Sequence, residues 1–164
     1  MDKQEFEAAD YIRKLKKKLT SAEGAHDATL DKIQKIGDFK KPEAVQLAVN
    51  LLAYNLEVSV HQRDLYSAEI ESGLRAKDEY GGTVEAELDN SRQFEAILIK
   101  AQRGDYTDLK KWLVSYGGTF SDEKPDLWHS LQDLNNFLPV HGDPINPPTL
   151  PAWMDPEFSE FDSG

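Results

Sequence analysis

The sequence predicts an all-α protein: a small helical bundle around one long central helix, followed by a proline-rich acidic tail. Apolar residues recur three and four positions apart along most of the chain, which is the period of an amphipathic helix. Residues 43–72 contain neither Gly nor Pro, so one uninterrupted helix can form there. Six of the eight prolines follow residue 138, where they prevent a further helix. No segment shows the alternation of apolar and polar residues that a strand requires.

Length and composition set the expected domain organisation and compartment. The 164 residues suit one helical domain, 1–138, with a tail at 139–164. The chain has no cysteine, which excludes disulfides and thiolate metal ligands. No run approaches the ~18 apolar residues of a membrane helix, and the acidic N-terminus lacks the apolar core of a signal peptide. We therefore expect a cytoplasmic protein without membrane association.

The first predicted helix covers residues 2–19 and concentrates positive charge. The formal net charge of the chain is −11, yet residues 11–19 contain five cations. An apolar stripe marks one side of this helix, and at 100° per residue the cations fall on the other side. Asp10 precedes Lys14 by four positions, which is a favourable pairing on a helix. We call the cations of this side the basic stripe: Arg13, Lys14, Lys17 and Lys18.

A shorter helix over residues 28–36 is predicted after an interruption at Gly24. The strongest element begins at Pro42 and runs to about residue 74, a length of ~45 Å at 1.5 Å per residue. Two apolar stripes follow roughly opposite sides of it. A helix that is apolar on two sides lies at the centre of a bundle or is shared between subunits. For this reason we expect a homo-oligomer, most simply a dimer.

Three further helices are predicted over residues 84–103, 107–116 and 125–138, each with one apolar stripe. The tetrapeptide YGGT occurs at 80–83 and again at 116–119. The sequences that follow the two copies do not align, so we interpret them as shared capping chemistry and not as a repeat. In that interpretation Gly ends one helix in the left-handed conformation and Thr helps to start the next.

The tail combines acidic residues with spaced aromatic ones. Residues 139–164 hold five acids and no Lys or Arg. An exposed segment of this kind is typical of a docking element. The alternative is a strap that lies over the protein's own bundle. The predicted tail anchors are Trp153, Met154, Phe158 and Phe161.

Sequence signatures of catalysis are absent. The chain has no cysteine nucleophile, no G-x-S-x-G, no phosphate-binding loop and no H-E-x-x-H. His61 falls on an apolar stripe, where a packed histidine is expected. We therefore predict no enzymatic activity, no cofactor and no metal.

One alternative keeps a catalytic function open. A metal-dependent helical hydrolase needs carboxylates three or four positions apart on facing helices. Glu85 and Asp89 have that spacing on one helix. Asp64 or Glu71 would face them from the long helix. We favour the simpler interpretation, a solvated acidic face.

The charge distribution indicates the class of partner. Residues 42–164 hold 9 Lys and Arg against 22 Asp and Glu, so they repel nucleic acid and anionic lipid and attract basic surfaces. The main hypothesis is a non-enzymatic adaptor, assembly chaperone or inhibitor that covers a basic protein surface. Its predicted contacts are the tail anchors and five steering acids. The steering acids are Glu69, Glu71, Glu85, Glu87 and Asp89.

We do not expect nucleic acid as a partner, because a few cations diluted by Glu7 and Asp10 bind weakly at physiological salt. An acidic surface of the same chain or of another subunit is the expected partner of the basic stripe. The alternative hypothesis is an oligomeric assembly factor linked to nucleic acid, similar in layout to viral packaging subunits. In such an assembly a ring would multiply the basic stripe.

Overall fold

The computed structural model describes residues 3–36, 39–75 and 77–145. This part of the chain holds five α-helices and no strand, which confirms the predicted all-α fold. The helices are α1 Lys3–Lys35, α2 Lys41–Glu71, α3 Lys77–Gln102, α4 Thr107–Gly118 and α5 Pro125–Asn136. None of them combines the length and the apolar character that a membrane span requires.

α1 is one continuous helix of 33 residues, so the predicted interruption at Gly24 is wrong. The apolar stripe that contains Ile12 continues past this glycine, because Leu30 and Ile33 are also buried. Gly24 is exposed, with open space around the position of a Cβ. It costs the helix only about 1 kcal/mol relative to alanine. Burial of the continued stripe outweighs that cost.

α2 is the long central helix that the sequence predicted. Both of its apolar sides are covered within the single chain, which is the bundle interpretation of the two stripes. The stripes therefore give no reason for self-association, and the homo-oligomer stays a prediction. The α2 residues with no measurable exposure are Ala44, Ala48, Val49, Leu51, Leu52, Ala53 and Leu56.

The two YGGT segments do not share capping chemistry. Gly82 lies inside α3, which begins at Lys77 and not at residue 84. Gly117 lies in the last turn of α4, and a Cβ there would stand 3.3 Å from the Cβ of Leu131. The second copy therefore allows close approach of α4 and α5. In the described ranges, positive φ is confined to other glycines, Gly73 and Gly104.

The chain forms two compact units. Unit 1 comprises Met1–Ala28 and Tyr54–Ala96, and unit 2 comprises Thr29–Ala53 and Ile97–Gly164. The core of unit 1 joins α1 to α2 through Ile12, Leu15, Leu19 and Leu65. Unit 2 contains the α4–α5 hairpin, whose inner side is formed by Leu109, Leu113, Leu127, Leu131 and Leu134.

Residues 139–145, the first part of the predicted tail, are held on unit 2. The backbone N–H of Tyr106 donates to the carbonyl of Val140 at 2.8 Å, and the Tyr106 hydroxyl donates to the carbonyl of Asp143. Tyr106 itself is buried. This segment therefore lies against unit 2, and we call it the strap. The two arrangements expected for the tail concern its aromatic anchors, so both stay predictions. Residues 146–164, with all four tail anchors, lie outside the described residues.

We expect three Gly→Ala substitutions to separate backbone strain from close approach. Gly104 has φ +87°, and a Cβ there would overlap the carbonyl oxygen of Gly142, whose N–H donates to Gly104 at 2.9 Å. Gly73 has φ +82° in open space, and Gly24 is helical in open space. We expect Gly104→Ala to lower the free energy of unfolding by ~3 kcal/mol, and Gly73→Ala by ~1 kcal/mol. Gly24→Ala should raise it by ~1 kcal/mol.

Urea unfolding followed by circular dichroism measures all three changes. Equal losses for Gly104→Ala and Gly73→Ala would contradict the close approach of the strap to Gly104.

Candidate functional site

The basic stripe lies on the exposed side of α1, as predicted. Arg13 and Lys14 share one carboxylate: Arg13 contacts Oδ1 of Asp10, and Nζ of Lys14 lies 3.2 Å from Oδ2. The hydrogen bond from Lys14 is the main cause that lowers the pKa of Asp10. The predicted pair at i, i+4 therefore forms, and it leaves the stripe with an excess of positive charge.

Lys16, Lys17 and Lys18 are exposed, and no carboxylate in the described part of the chain pairs with them. Within these ranges, Asp10 is the carboxylate that pairs with cations of the stripe, and the wider acidic surface that we expected as its partner stays a prediction. An open depression of about 410 Å³ lies on this face. It is lined by Arg13, Lys16, Lys17, Thr20 and Ser21.

Lys18 differs from the other cations of the stripe, because its charge acts on a residue of α2. Its charge reaches His61 of α2, which is half-buried. Burial is the main cause that lowers the pKa of His61, the Lys18 charge lowers it further, and Asp64 opposes both. The histidine is thus partly packed, in keeping with its place on an apolar stripe.

The five predicted steering acids do not form one surface, and Glu69 is buried. It is 7% exposed, because it follows buried Leu65 by four positions on α2. Its Oε2 accepts a hydrogen bond from Nε of Arg75 at 3.1 Å, and the Arg75 guanidinium lies 4.6 Å from the ring centroid of Tyr66. Its Oε1 is buried and has no hydrogen-bond partner among the described residues. Glu69 is therefore not available for steering.

The other four acids differ in exposure. Glu71, Glu85 and Asp89 are exposed, whereas Glu87 is half-buried on the side of α3 that contains buried Ser91. Within the described ranges, no three His, Asp or Glu side chains are arranged to hold a metal ion. The acids considered for a hydrolase are consequently not brought together there.

The structure shows a groove on the α4–α5 hairpin that the sequence analysis did not identify. Its volume is about 380 Å³. The floor is apolar, because Leu113 and Leu131 are each only 1% exposed and Gly117 has no side chain. Val114, at the α4 side, is 59% exposed. Apart from Trp128, the α5 side is polar and contributes Gln132, Asp133, Asn135 and Asn136.

The backbone carbonyl of Asn135 is hydrogen-bonded, whereas the oxygen of its side-chain amide has no partner in the described part of the chain. Nζ of Lys110 donates to the carbonyl of Asn135 at 2.9 Å and to that of Leu138 at 2.6 Å. Oδ1 of Asn135 is buried without a hydrogen-bond partner in the described part of the chain. A buried acceptor of this kind costs about 1–3 kcal/mol until a donor reaches it.

The hairpin carries uncompensated negative charge. Four exposed acids take part in no ion pair with the residues that the structure describes. One of them, Asp133, lines the groove. The four acids are Asp122, Glu123, Asp126 and Asp133.

Three aromatic rings follow one another from α4 into the turn after it. Trp112 and Tyr116 on α4 and Phe120 in the turn are half-buried, with successive ring centroids 4.9 and 5.2 Å apart. Their spacing of four residues is visible in the sequence. Contacts at these distances stiffen the helix that forms one side of the groove.

A comparison of the chain with protein-family models, with curated proteins and with solved structures gave no match. The function is therefore inferred from the chemistry of the surfaces described above.

We expect Lys18→Gln to raise the pKa of His61 toward its usual value of 6.5, because a positive charge is removed. NMR titration of the His61 ring measures this. A folded-state pKa below the unfolded one means that the unfolded state binds more protons as pH falls. The stability contributed by His61 is therefore present above about pH 6.5 and is lost on acidification toward the folded pKa. Lys18→Gln should reduce that loss.

Lys17→Gln is the matched control, because Lys17 does not act on His61. Equal shifts of the His61 pKa in the two variants would contradict the placement of Lys18.

Proposed function

We propose that the chain is a non-enzymatic protein-binding module that engages a basic protein surface, as an adaptor, assembly chaperone or inhibitor would. The observation that carries this proposal is the groove on the α4–α5 hairpin, where an exposed apolar side chain lies beside uncompensated acids. A protein-binding site needs both properties, because apolar anchors supply affinity and charge supplies specificity and fast association.

The apolar part of the groove supports binding by side-chain insertion. Val114 is an exposed aliphatic residue at the edge of a recess whose floor is formed by Leu113 and Leu131. Trp128 lines the same recess and is half-buried. Tryptophan in a partly covered pocket is among the residues most often found at the energetic centre of an interface.

The electrostatic part supports a basic partner. The four hairpin acids stand on a chain whose net charge is −11. They outnumber the two exposed lysines of the hairpin, Lys111 and Lys124, and Nζ of Lys110 donates to backbone carbonyls. The field at the groove therefore attracts cations. It should weaken with ionic strength, since the Debye length falls from ~10 Å at 0.1 M salt to ~3 Å at 1 M.

Other parts of the hypothesis remain proposals. The tail anchors Trp153, Met154, Phe158 and Phe161 would add a second set of contacts beyond the strap. Glu71, Glu85 and Asp89 are exposed and would extend the acidic surface. A cytoplasmic location and a homo-oligomer are also part of the proposal.

We expect the double variant Asp126→Asn/Asp133→Asn to lose about tenfold in apparent affinity for basic proteins captured from the source-cell lysate, because ~1.4 kcal/mol of attraction disappears. Quantitative mass spectrometry of the captured proteins at 50 and 300 mM salt gives the measurement. The matched control is Glu23→Gln/Glu43→Gln, which removes the same charge from exposed positions on α1 and α2 outside the proposed surface. Capture that is independent of salt and of the hairpin variant would overturn the proposal.

A second candidate function, linkage to nucleic acid, is favoured by Lys16, Lys17 and Lys18, which are exposed and take part in no ion pair with the described residues. We expect no retention of a 30-bp DNA duplex in a gel shift at 150 mM salt, because so few phosphate contacts are weak there. The triple variant Lys16→Gln/Lys17→Gln/Lys18→Gln tests the assignment at 50 mM salt, with Lys111→Gln/Lys124→Gln as control. DNA retention that only the triple variant loses would establish the second candidate.

A further inference from the structure

We infer that the groove on the α4–α5 hairpin takes an extended segment of a partner protein, in which an apolar side chain is flanked by Lys or Arg. This inference rests on the proposed function and specifies the form of the partner. Three features of the groove carry it: the asymmetry of its two sides, the free acceptor of Asn135, and the charge of Asp133.

The two sides of the groove differ in chemistry. The α4 side is apolar, with Val114 and Gly117, whereas the α5 side presents the amide side chains of Gln132, Asn135 and Asn136. A side-chain amide offers a donor and an acceptor on adjacent atoms. Those are also the groups of a peptide backbone. The α5 side is thus suited to hydrogen bonding with a main chain.

An extended segment uses such a side, and a helix does not. A helix satisfies its N–H and C=O groups internally, so it would meet the amides of α5 only with side chains. An extended segment leaves these groups free along its edges, and its side chains point alternately to opposite faces. One side chain can then enter the apolar floor while its neighbours remain outside.

Asn135 specifies one contact. Its carbonyl already accepts from Lys110, and its Oδ1 is buried with no donor in the described residues. A backbone N–H beside the inserted side chain would supply that donor. Lys110 uses two of its three N–H groups on the carbonyls of Asn135 and Leu138, and it makes no bond to Oδ1.

Size and charge specify the side chains. A recess of about 380 Å³ is at the small end of ligand pockets and accommodates a large apolar side chain with adjoining backbone. Asp133 lines the recess and has no cation partner in the described ranges. A Lys or Arg next to the inserted side chain would pair with it.

The probe is a phage-displayed library of random dodecapeptides, selected against the full-length chain at 150 mM salt. We expect recovered peptides to carry an aliphatic or aromatic residue with Lys or Arg within two positions. In the best peptide, synthesised with one backbone nitrogen methylated at a time, one methylation should cost about tenfold in Kd, because the bond to Asn135 is lost. Val114→Lys should abolish binding.

Asn135→Leu closes a double-mutant cycle with the methylated peptide. The substitution should weaken binding of the parent peptide about tenfold. On the substituted protein, the methylated peptide should bind as well as the parent peptide does, because the hydrogen bond is already lost. Asn135→Asp keeps an acceptor and should retain binding, which separates the lost hydrogen bond from misfolding. Asn90→Leu, an exposed substitution on α3, is the control.

Each other result overturns the inference. Helix-forming peptides that tolerate every methylation would leave the basic-partner proposal standing and remove the extended form. Peptides that bind the Val114→Lys variant occupy another site. Sedimentation that shows self-association lost on Val114→Lys would make a second copy the occupant. Failure of the proposed function would show separately in the lysate capture, where removing the hairpin acids would not change binding.

Discussion

The apolar surface on both sides of α2 is the constraint on which the rest of the fold depends. A 31-residue helix with such a surface has no stable place in water, so other helices must cover it along its length. In unit 1 the stripe of Ile12, Leu15 and Leu19 on α1 meets Leu65. The continuous helical path of α1 past Gly24 follows from this demand, because an interruption would leave part of the apolar surface uncovered.

The helices could be predicted from the apolar periodicity and from the positions of Gly and Pro, whereas the roles of single glycines could not. The apolar period predicted the stripe on α1, the long α2 and the two short helices α4 and α5 within a few residues. Local rules failed at Gly24 and Gly117, where burial of neighbouring side chains or approach of a second helix decides the conformation, and at Gly82, which lies inside α3 in open space. Among the described glycines, Gly73 and Gly104 follow the rule that glycine ends a helix with positive φ.

The candidate site was harder to predict for a related reason. Exposure of the basic stripe followed from one helix, and it was predicted correctly. The groove needs two helices, the small Gly117 between them, and an amide on α5 whose backbone is fixed by Lys110 on α4. Sequence spacing within one helix carries no information on such a juxtaposition. Glu69 shows the opposite error, since an acid in a charged stretch is buried beside Arg75.

The strap has a consequence for any contact made farther along the chain. Bonds from Tyr106 to the backbone of the strap fix the chain beside unit 2, and the described part ends at Ile145. Trp153 follows eight residues later, so its Cα cannot be farther than ~29 Å from that of Ile145. In the proposed function, the tail would act as a tethered second ligand for a partner held in the groove, at an effective concentration in the millimolar range for so short a link. Weak contacts by the tail would then be enough to prolong the residence of a partner.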